Sequence, residues 1–332
     1  MPRNRRILLI SRPTGKANAE NFRLETVDTP ALAEGQLLVR NHWLSLDPYM
    51  RGRMNESRSY AAPQSLNETM QGQTTGVVVE SRNASWSVGT PVLASFGWQE
   101  YGISDGSGLR KLDTKSIPLS AYLGAVGMPG VTAWYGVHRI IAPRPGETVA
   151  VSAASGAVGM IVGQLAKRAG ARAVGIAGGA QKCRYVVQEL GMDACVDYKT
   201  DDLGAQLKSA CPNGIDGYFE NVGGAVLDAV LPRMNPSGRI ALCGLIAGYN
   251  GVPIPISNPT WLLISRLKLQ GFIISEHLDL WPQALEELAA GVASGAIRYR
   301  ESVVQGLENA PQAFIGMLEG RNFGKQLVKL TD

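Results

Sequence analysis

The residues best suited to chemistry lie in one short run. Ala154-Ser155-Gly156-Ala157-Val158-Gly159 follows the apolar stretch TVAVS at 148–152 and leads into residues 158–168, whose apolar positions recur at helical spacing. A strand entering a glycine turn and then a helix can hold a dinucleotide. One glycine permits the turn, one lets the backbone approach the pyrophosphate, and one lets the helix pack on the strand. The helix N-terminus adds N–H groups for the anion. Here the first glycine of that pattern is replaced by Ala154, while Gly156 and Gly159 supply the other two. A plain strand-to-helix turn in a flavodoxin-like sheet would fit the same run.

The next strand bears on the choice of dinucleotide. In NAD enzymes an acid about 20 residues further on takes the adenosine ribose diol. That place falls in IAGGAQKC, with Gly178 and Gly179 and no acid, and Lys182 follows within a turn. An acid would repel a 2′-phosphate and a lysine attracts one. The reading is therefore NADP(H) over NAD(H), the alternative being that Lys182 is a surface residue.

These residues need a scaffold of strands and helices. From about residue 121 strand and helix patterns alternate: TVAVSAA, a helix over 158–168, ARAVGIAG, KCRYVVQELG, DACVDY, a helix over 201–210, IDGYFENVGG, AVLDAVLPRM, GRIALCG, LQGFIIS and a helix over 280–293. That rhythm predicts a parallel sheet covered by helices on both faces. Residues 1–120 read differently, as short strands (QLLVRNHWLSL, TTGVVVES, a turn into PVLA) suited to a twisted barrel-like unit. The tail LENAPQAFIGMLEG reads as a helix and KQLVKL as a strand that rejoins the first domain. The expected class is α/β, a doubly wound Rossmann domain over 121–297 inserted into a domain of 1–120 plus 298–332.

Length and composition agree with two packed domains: 332 residues, 45% of them hydrophobic. The net charge of +4 is spread along the chain, and the densest basic run, RNRR at 3–6, reads as a solvated terminus. No concentrated basic face points to nucleic acid. No apolar stretch reaches membrane-spanning length. ILLI is too short for a secretory core, and the four cysteines form no CxxC pair. The expectation is a cytoplasmic, reduced protein without structural disulfides.

The whole chain resembles the zinc-free branch of the medium-chain dehydrogenase/reductase superfamily, in particular the prostaglandin reductase and bacterial curcumin reductase group. ENFRLE, LSLDPYMRGRM, GMPGVTAWYG, AASGAVG, AGGAQKC, ENVGG, GRIALCGLIAGYN, LQGFII and LENAPQAFIGMLEGRNFGKQLVK carry the likeness. The resemblance implies a GroES-like catalytic domain built from both chain ends, a homodimer, and NADPH-dependent reduction of a carbon–carbon double bond conjugated to a carbonyl. It places Met128, Pro129 and Thr132 on the nicotinamide side and Gly156, Ala157 and Val158 at the pyrophosphate. Gly178, Lys182 and Tyr198 surround the adenosine phosphate. Asn221, Cys243 and Tyr249 lie along the coenzyme, and Asn322 reaches it from the final segment. Each has a plainer reading: Asn221 as a helix cap, Cys243 as a small buried residue, Tyr198 as packing, Asn322 as a turn residue.

A catalytic zinc wants three Cys, His or carboxylate ligands and an open position. The only histidines are His42, His138 and His277, and no cysteine precedes Cys183, so no metal is expected. Hydride addition to a conjugated enone spreads charge onto the carbonyl oxygen, which calls for a hydrogen-bond donor there and a proton for the α-carbon. Tyr249, Tyr49 and Tyr60 are the candidates, with Tyr249 as donor and Tyr49 shaping the pocket; each also reads as a core aromatic. Trp261, Leu262, Leu263 and Phe272 suit the rim of a pocket for a flat hydrophobic substrate, or packing on their own domain, or a subunit interface. A quinone reductase is the alternative enzyme. A binding protein with a retired Rossmann domain is the alternative class.

Overall fold

A computed structural model describes residues 2–200 and 202–331. In chain order the first part holds β1 (Arg3–Leu9), β2 (Phe22–Asp28), β3 (Leu37–Ser45), the short helix α1 (Tyr49–Arg53), β4 (Glu68–Thr69), β5 (Thr74–Ser81), β6 (Pro91–Ala94), β7 (Tyr101–Ser104) and β8 (Arg110–Lys111). The middle holds α2 (Met128–Tyr135), β9 (Thr148–Ser152), α3 (Gly159–Arg168), β10 (Arg172–Ala177), α4 (Ala180–Gln188) and β11 (Ala194–Asp197). It continues with α5 (Leu203–Ala210), β12 (Ile215–Glu220), α6 (Ala225–Val230), β13 (Met234–Leu242), α7 (Thr260–Ile264), β14 (Lys268–Gly271) and α8 (Trp281–Ala293). The tail adds β15 (Glu301–Gln305), α9 (Ala310–Leu318) and β16 (Lys325–Lys329). The helix start expected at residue 201 lies outside the described residues.

The chain divides into two compact units, Met1–Leu123 with Glu301–Asp332, and Gly124–Arg300. In the second, six parallel strands run in the order β11-β10-β9-β12-β13-β14. The chain moves outward from β9 in one direction, then returns to start β12 on its other side. The crevice beyond the carboxyl ends of β9 and β12 is therefore the switch point where ligands bind in such sheets. Both faces are covered, because alternate side chains of a strand point to opposite faces. Val149 and Val151 join one buried cluster with Ile161 and Leu165 of α3 and Leu288 of α8, while Ala150 joins another with Leu207 of α5 and Val230 of α6.

The other unit is antiparallel in the main, with a seven-stranded sheet ordered β15-β16-β3-β5-β6-β8, β7 also pairing with β3, and a second sheet β2-β1-β4. Strand β16 pairs with β3 through Leu327–Ser45, Val328–Leu44 and Lys329–Trp43, which returns the chain end to its beginning. Phe22 stacks on Trp98 at 5.4 Å, and Phe314 of α9 meets the same tryptophan edge-on at 5.6 Å, so both chain ends share one aromatic core.

Two expectations need correction. RNRR is not a loose solvated terminus: Arg3–Leu9 is a strand paired with β2 along its length. Two of its three arginines are paired, Arg5 with Glu100 at 2.6 Å and Arg6 with Glu25 at 2.6 Å. The strand expected over 269–275 stops at Gly271. Phe272 turns away from the ladder to pack against Tyr135 and Phe219 of the same unit, at ring distances of 5.2 and 6.2 Å.

Candidate coenzyme and active site

The turn after β9 is built around Ala153, whose backbone takes a left-handed conformation with φ 50°. That conformation is costly for a residue with a Cβ. It aims the Ala153 carbonyl at both glycines of the run. A Cβ on Gly159 would lie 2.3 Å from that oxygen, so only glycine lets α3 start there. A Cβ on Gly156 would meet nothing but Ala153, at 3.1 Å from the same oxygen, and its outward side is open. The loop thus presents bare backbone, and α3 begins at Gly159 after Val158, which gives no side-chain cap. Amide groups at an uncapped helix start suit a pyrophosphate. The missing first glycine is explained as well: the tight turn falls on Ala153, and Ala154 is fully buried against the sheet.

The loop after β10 gathers Gly178, Lys182 and Tyr198. A Cβ at Gly178 would strike the Tyr198 ring and hydroxyl at 2.8 Å and the Lys199 side chain at 3.0 Å. With glycine here both side chains lie over the loop, and a larger residue would push their ends aside. Lys182, half-buried in the first turn of α4, has its pKa lowered by burial and by the nearby charge of Lys199. Asp197 is engaged with backbone in the same loop: its Oδ1 accepts from Gly179 N–H at 2.8 Å and from Lys199 N–H at 3.0 Å. Like charges at an uncapped helix start fit a phosphate monoester. Sequence reasoning missed Lys199. The clue is DYK at 197–199, which becomes visible only once β11 is registered on β10, with Ala177 opposite Asp197.

At the switch point Asn221 reaches across to β9. Its Nδ2 donates to the Ser152 carbonyl at 2.8 Å, and its backbone N–H donates to Ser152 Oγ at 2.7 Å. It is not a helix cap: α6 starts after Gly224 with no side-chain cap. Beyond β13, Cys243, Gly244, Leu245 and Tyr249 line an open cavity of about 220 Å³ with Phe272 and Ile273. Tyr249 Oη accepts a long hydrogen bond from Leu245 N–H at 3.4 Å. The Cys243 thiol is pushed up to about 12 by burial and by Glu220. It stays protonated and is no nucleophile at neutral pH. Trp261 and Leu262 pack into their own unit's core rather than forming a rim, whereas Phe272 does line this cavity.

Met128 and Pro129 open α2, where Thr132 Oγ donates to the Met128 carbonyl at 2.7 Å. The remaining candidates belong to the other unit. Tyr49 and Tyr60 flank the Arg53 guanidinium, at 5.9 and 4.8 Å. Burial and the Asp47 carboxylate raise the Tyr49 phenol above its usual range, so it is a neutral donor. Tyr60 is exposed. Asn322 holds a turn, its Nδ2 donating to the Gly324 carbonyl at 2.7 Å. Among the described residues no group of three His, Cys, Asp or Glu is placed to hold a metal ion.

A six-stranded parallel sheet with a glycine turn at its switch point defines a dinucleotide-binding α/β chain. Comparison with known proteins agrees in detail. Residues 5–112 match a model described as the N-terminal domain of oxidoreductase, and residues 157–290 one described as zinc-binding dehydrogenase. The chain is 47% identical to NADPH-dependent curcumin reductase of Escherichia coli, over 99% of this chain and 97% of the relative. It is 43% identical to prostaglandin reductase 1 of Oryctolagus cuniculus, over 94% and 89%. The crystal structure of CurA in complex with NADPH from Vibrio vulnificus superposes with a TM-score of 0.94 at 48% identity, covering 99% of both chains. The chain belongs to the zinc-free medium-chain dehydrogenase/reductase family, in the group of curcumin reductase and prostaglandin reductase 1.

Proposed function

We propose that this protein catalyses NADPH-dependent reduction of the carbon–carbon double bond of α,β-unsaturated ketones and aldehydes. The observation that carries the coenzyme assignment is the loop after β10, where Gly178 and Gly179 replace an acid and Lys182 stands near Lys199. The names of the relatives support the substrate class: one is a curcumin reductase, another a prostaglandin reductase. In this reading Gly156, Ala157 and Val158 hold the pyrophosphate, and Gly178, Lys182 and Tyr198 the adenosine 2′-phosphate. Met128, Pro129 and Thr132 face the nicotinamide, and Asn221 and Cys243 lie along the coenzyme. Residues 124–300 are then the coenzyme domain, and the two terminal segments form the GroES-like domain.

When bound, NADPH supplies a hydride. Reduction at the β-carbon places negative charge on the carbonyl oxygen, a phenol donating to that oxygen lowers the barrier, and a proton drawn ultimately from water completes the α-carbon. We assign that donor to Tyr249, with Tyr49 and Tyr60 as the residues to test against it. Cys243 remains a thiol, which protects it from adding to the enone. The family likeness and the edge strand β14, exposed along its length beside Leu263 at 78% exposure, support a homodimer, which light scattering would measure. No helix among the described residues is long and apolar enough to cross a membrane, and we place the enzyme in the cytoplasm.

The test is product analysis by mass and NMR with an alkenal, a diarylenone and a quinone. The expected product is the saturated carbonyl compound. An allylic alcohol would refute the reaction, and turnover of the quinone alone would make the enzyme a quinone reductase. Tyr249→Phe should lower kcat by about 10- to 1000-fold with little change in KM, the range spanned by loss of an oxyanion donor. Unimpaired Tyr249→Phe with a crippled Tyr49→Phe or Tyr60→Phe would move the role.

A further inference from the structure

One buried acid takes no part in the chemistry above. Glu220, the last residue of β12, is fully buried and stands between the ends of three strands. Its Oε1 accepts from Ser152 Oγ, at the end of β9, at 2.7 Å and from Val222 N–H at 2.6 Å. Its backbone carbonyl accepts from Cys243 N–H at 2.9 Å and Gly244 N–H at 3.1 Å, just past the end of β13. Ser152 in turn receives Asn221 N–H on Oγ and the Asn221 amide on its carbonyl. Tyr218, two residues earlier on the same strand face, is buried beside the carboxyl and acts on it.

We propose that Glu220 is a positioning residue that ties the ends of β9, β12 and β13 into one rigid floor under the coenzyme crevice. The inference rests on the NADPH reading, since Asn221 and Cys243 are the residues the floor presents. An acid is suited to this place because one oxygen, Oε1, accepts from both Ser152 Oγ and Val222 N–H, while Oε2 is buried without a hydrogen-bond partner among the described residues, as is the Tyr218 hydroxyl. Burial raises its carboxyl above the ordinary glutamate range, a cost that a purely packing residue would not incur. The floor serves the middle and nicotinamide parts of the coenzyme. The adenosine phosphate end is formed by a different loop, after β10.

That separation gives the test. Binding of NADPH by fluorescence and of 2′,5′-ADP by calorimetry is measured on the full chain, for the native protein, Glu220→Ala and Glu220→Gln, together with melting temperatures. Glu220→Ala should weaken NADPH about tenfold or more while 2′,5′-ADP stays within about twofold, as expected for lost hydrogen bonds to a charged group. Glu220→Gln, which keeps an accepting Oε1 for Ser152 and Val222, should recover most of the NADPH affinity. Native-like NADPH binding by Glu220→Ala would overturn the proposal. So would parallel loss of both ligands, which would mark a general structural role. If Glu220→Ala does not fold, Ser152→Ala decides the matter by the same criterion. A native protein that binds neither ligand would defeat the coenzyme reading itself, a different failure.

Discussion

Two lysines of this chain sit in opposite surroundings. Lys325 on β16 is 3% exposed, and its Nζ donates to Asp47 Oδ1 at 2.6 Å and to the Leu46 carbonyl at 2.8 Å. Lys182 on α4 is half-buried beside another cation, Lys199, whose own backbone N–H donates to Asp197. The first charge is answered within the fold. The second is held beside a like charge, and burial together with Lys199 lowers its pKa. A lysine closed into a pair is part of the scaffold. A lysine kept near its like is suited to receive an anion from outside.

The comparison breaks most visibly at Lys325. Lys325→Met leaves Asp47 buried without its partner, and removing one member of a buried pair costs about 3–5 kcal/mol. Urea unfolding should show a loss of that size, and a change under about 1 kcal/mol would mean the pair is not structural. Lys182→Ala should do the reverse. Its stability should stay within about 0.5 kcal/mol of the native protein, as for most surface changes. Its preference for NADPH over NADH, compared as kcat/KM, should fall by about 10- to 100-fold, the worth of a hydrogen bond to a charged group. Equal use of both coenzymes by the native enzyme would remove the contrast altogether. The smallest effect is expected at Lys199, which the comparison makes the auxiliary cation. Lys199→Gln should weaken NADPH by about threefold at low salt and less at high salt, because screening shrinks an exposed charge's contribution. An unchanged affinity at low salt would restrict the site to Lys182.

The sequence made some of this visible and hid the rest for physical reasons. The parallel sheet was legible because its strands are short apolar runs between helical repeats, and the absent acid at Gly178–Gly179 could be read directly. Lys199 could not. Its proximity to Lys182 depends on β11 lying beside β10, a pairing between segments 20 residues apart at Ala177 and Asp197. Glu220 was quoted within ENVGG, yet its role comes from Ser152 and Cys243, which the fold alone brings to it. RNRR misled because pairing with β2 and contacts with Glu25 and Glu100 are long-range facts. The strand at 269–275 was overextended because apolar run length does not reveal that Phe272 prefers an aromatic neighbour to the ladder.

The left-handed Ala153 carries a consequence for how such chains are found and altered. The turn that glycine performs in the standard fingerprint has moved one position upstream, onto a residue that bears a methyl group. A search that scores glycine spacing looks at Ala154, sees a defect and discards a loop whose backbone is intact. The working part of the loop is a conformation, and here a residue other than glycine holds it. The same position is a target for thermal improvement: Ala153→Gly would relieve a conformation that costs an L-residue about 1 kcal/mol while leaving the carbonyl aimed at Gly156 and Gly159.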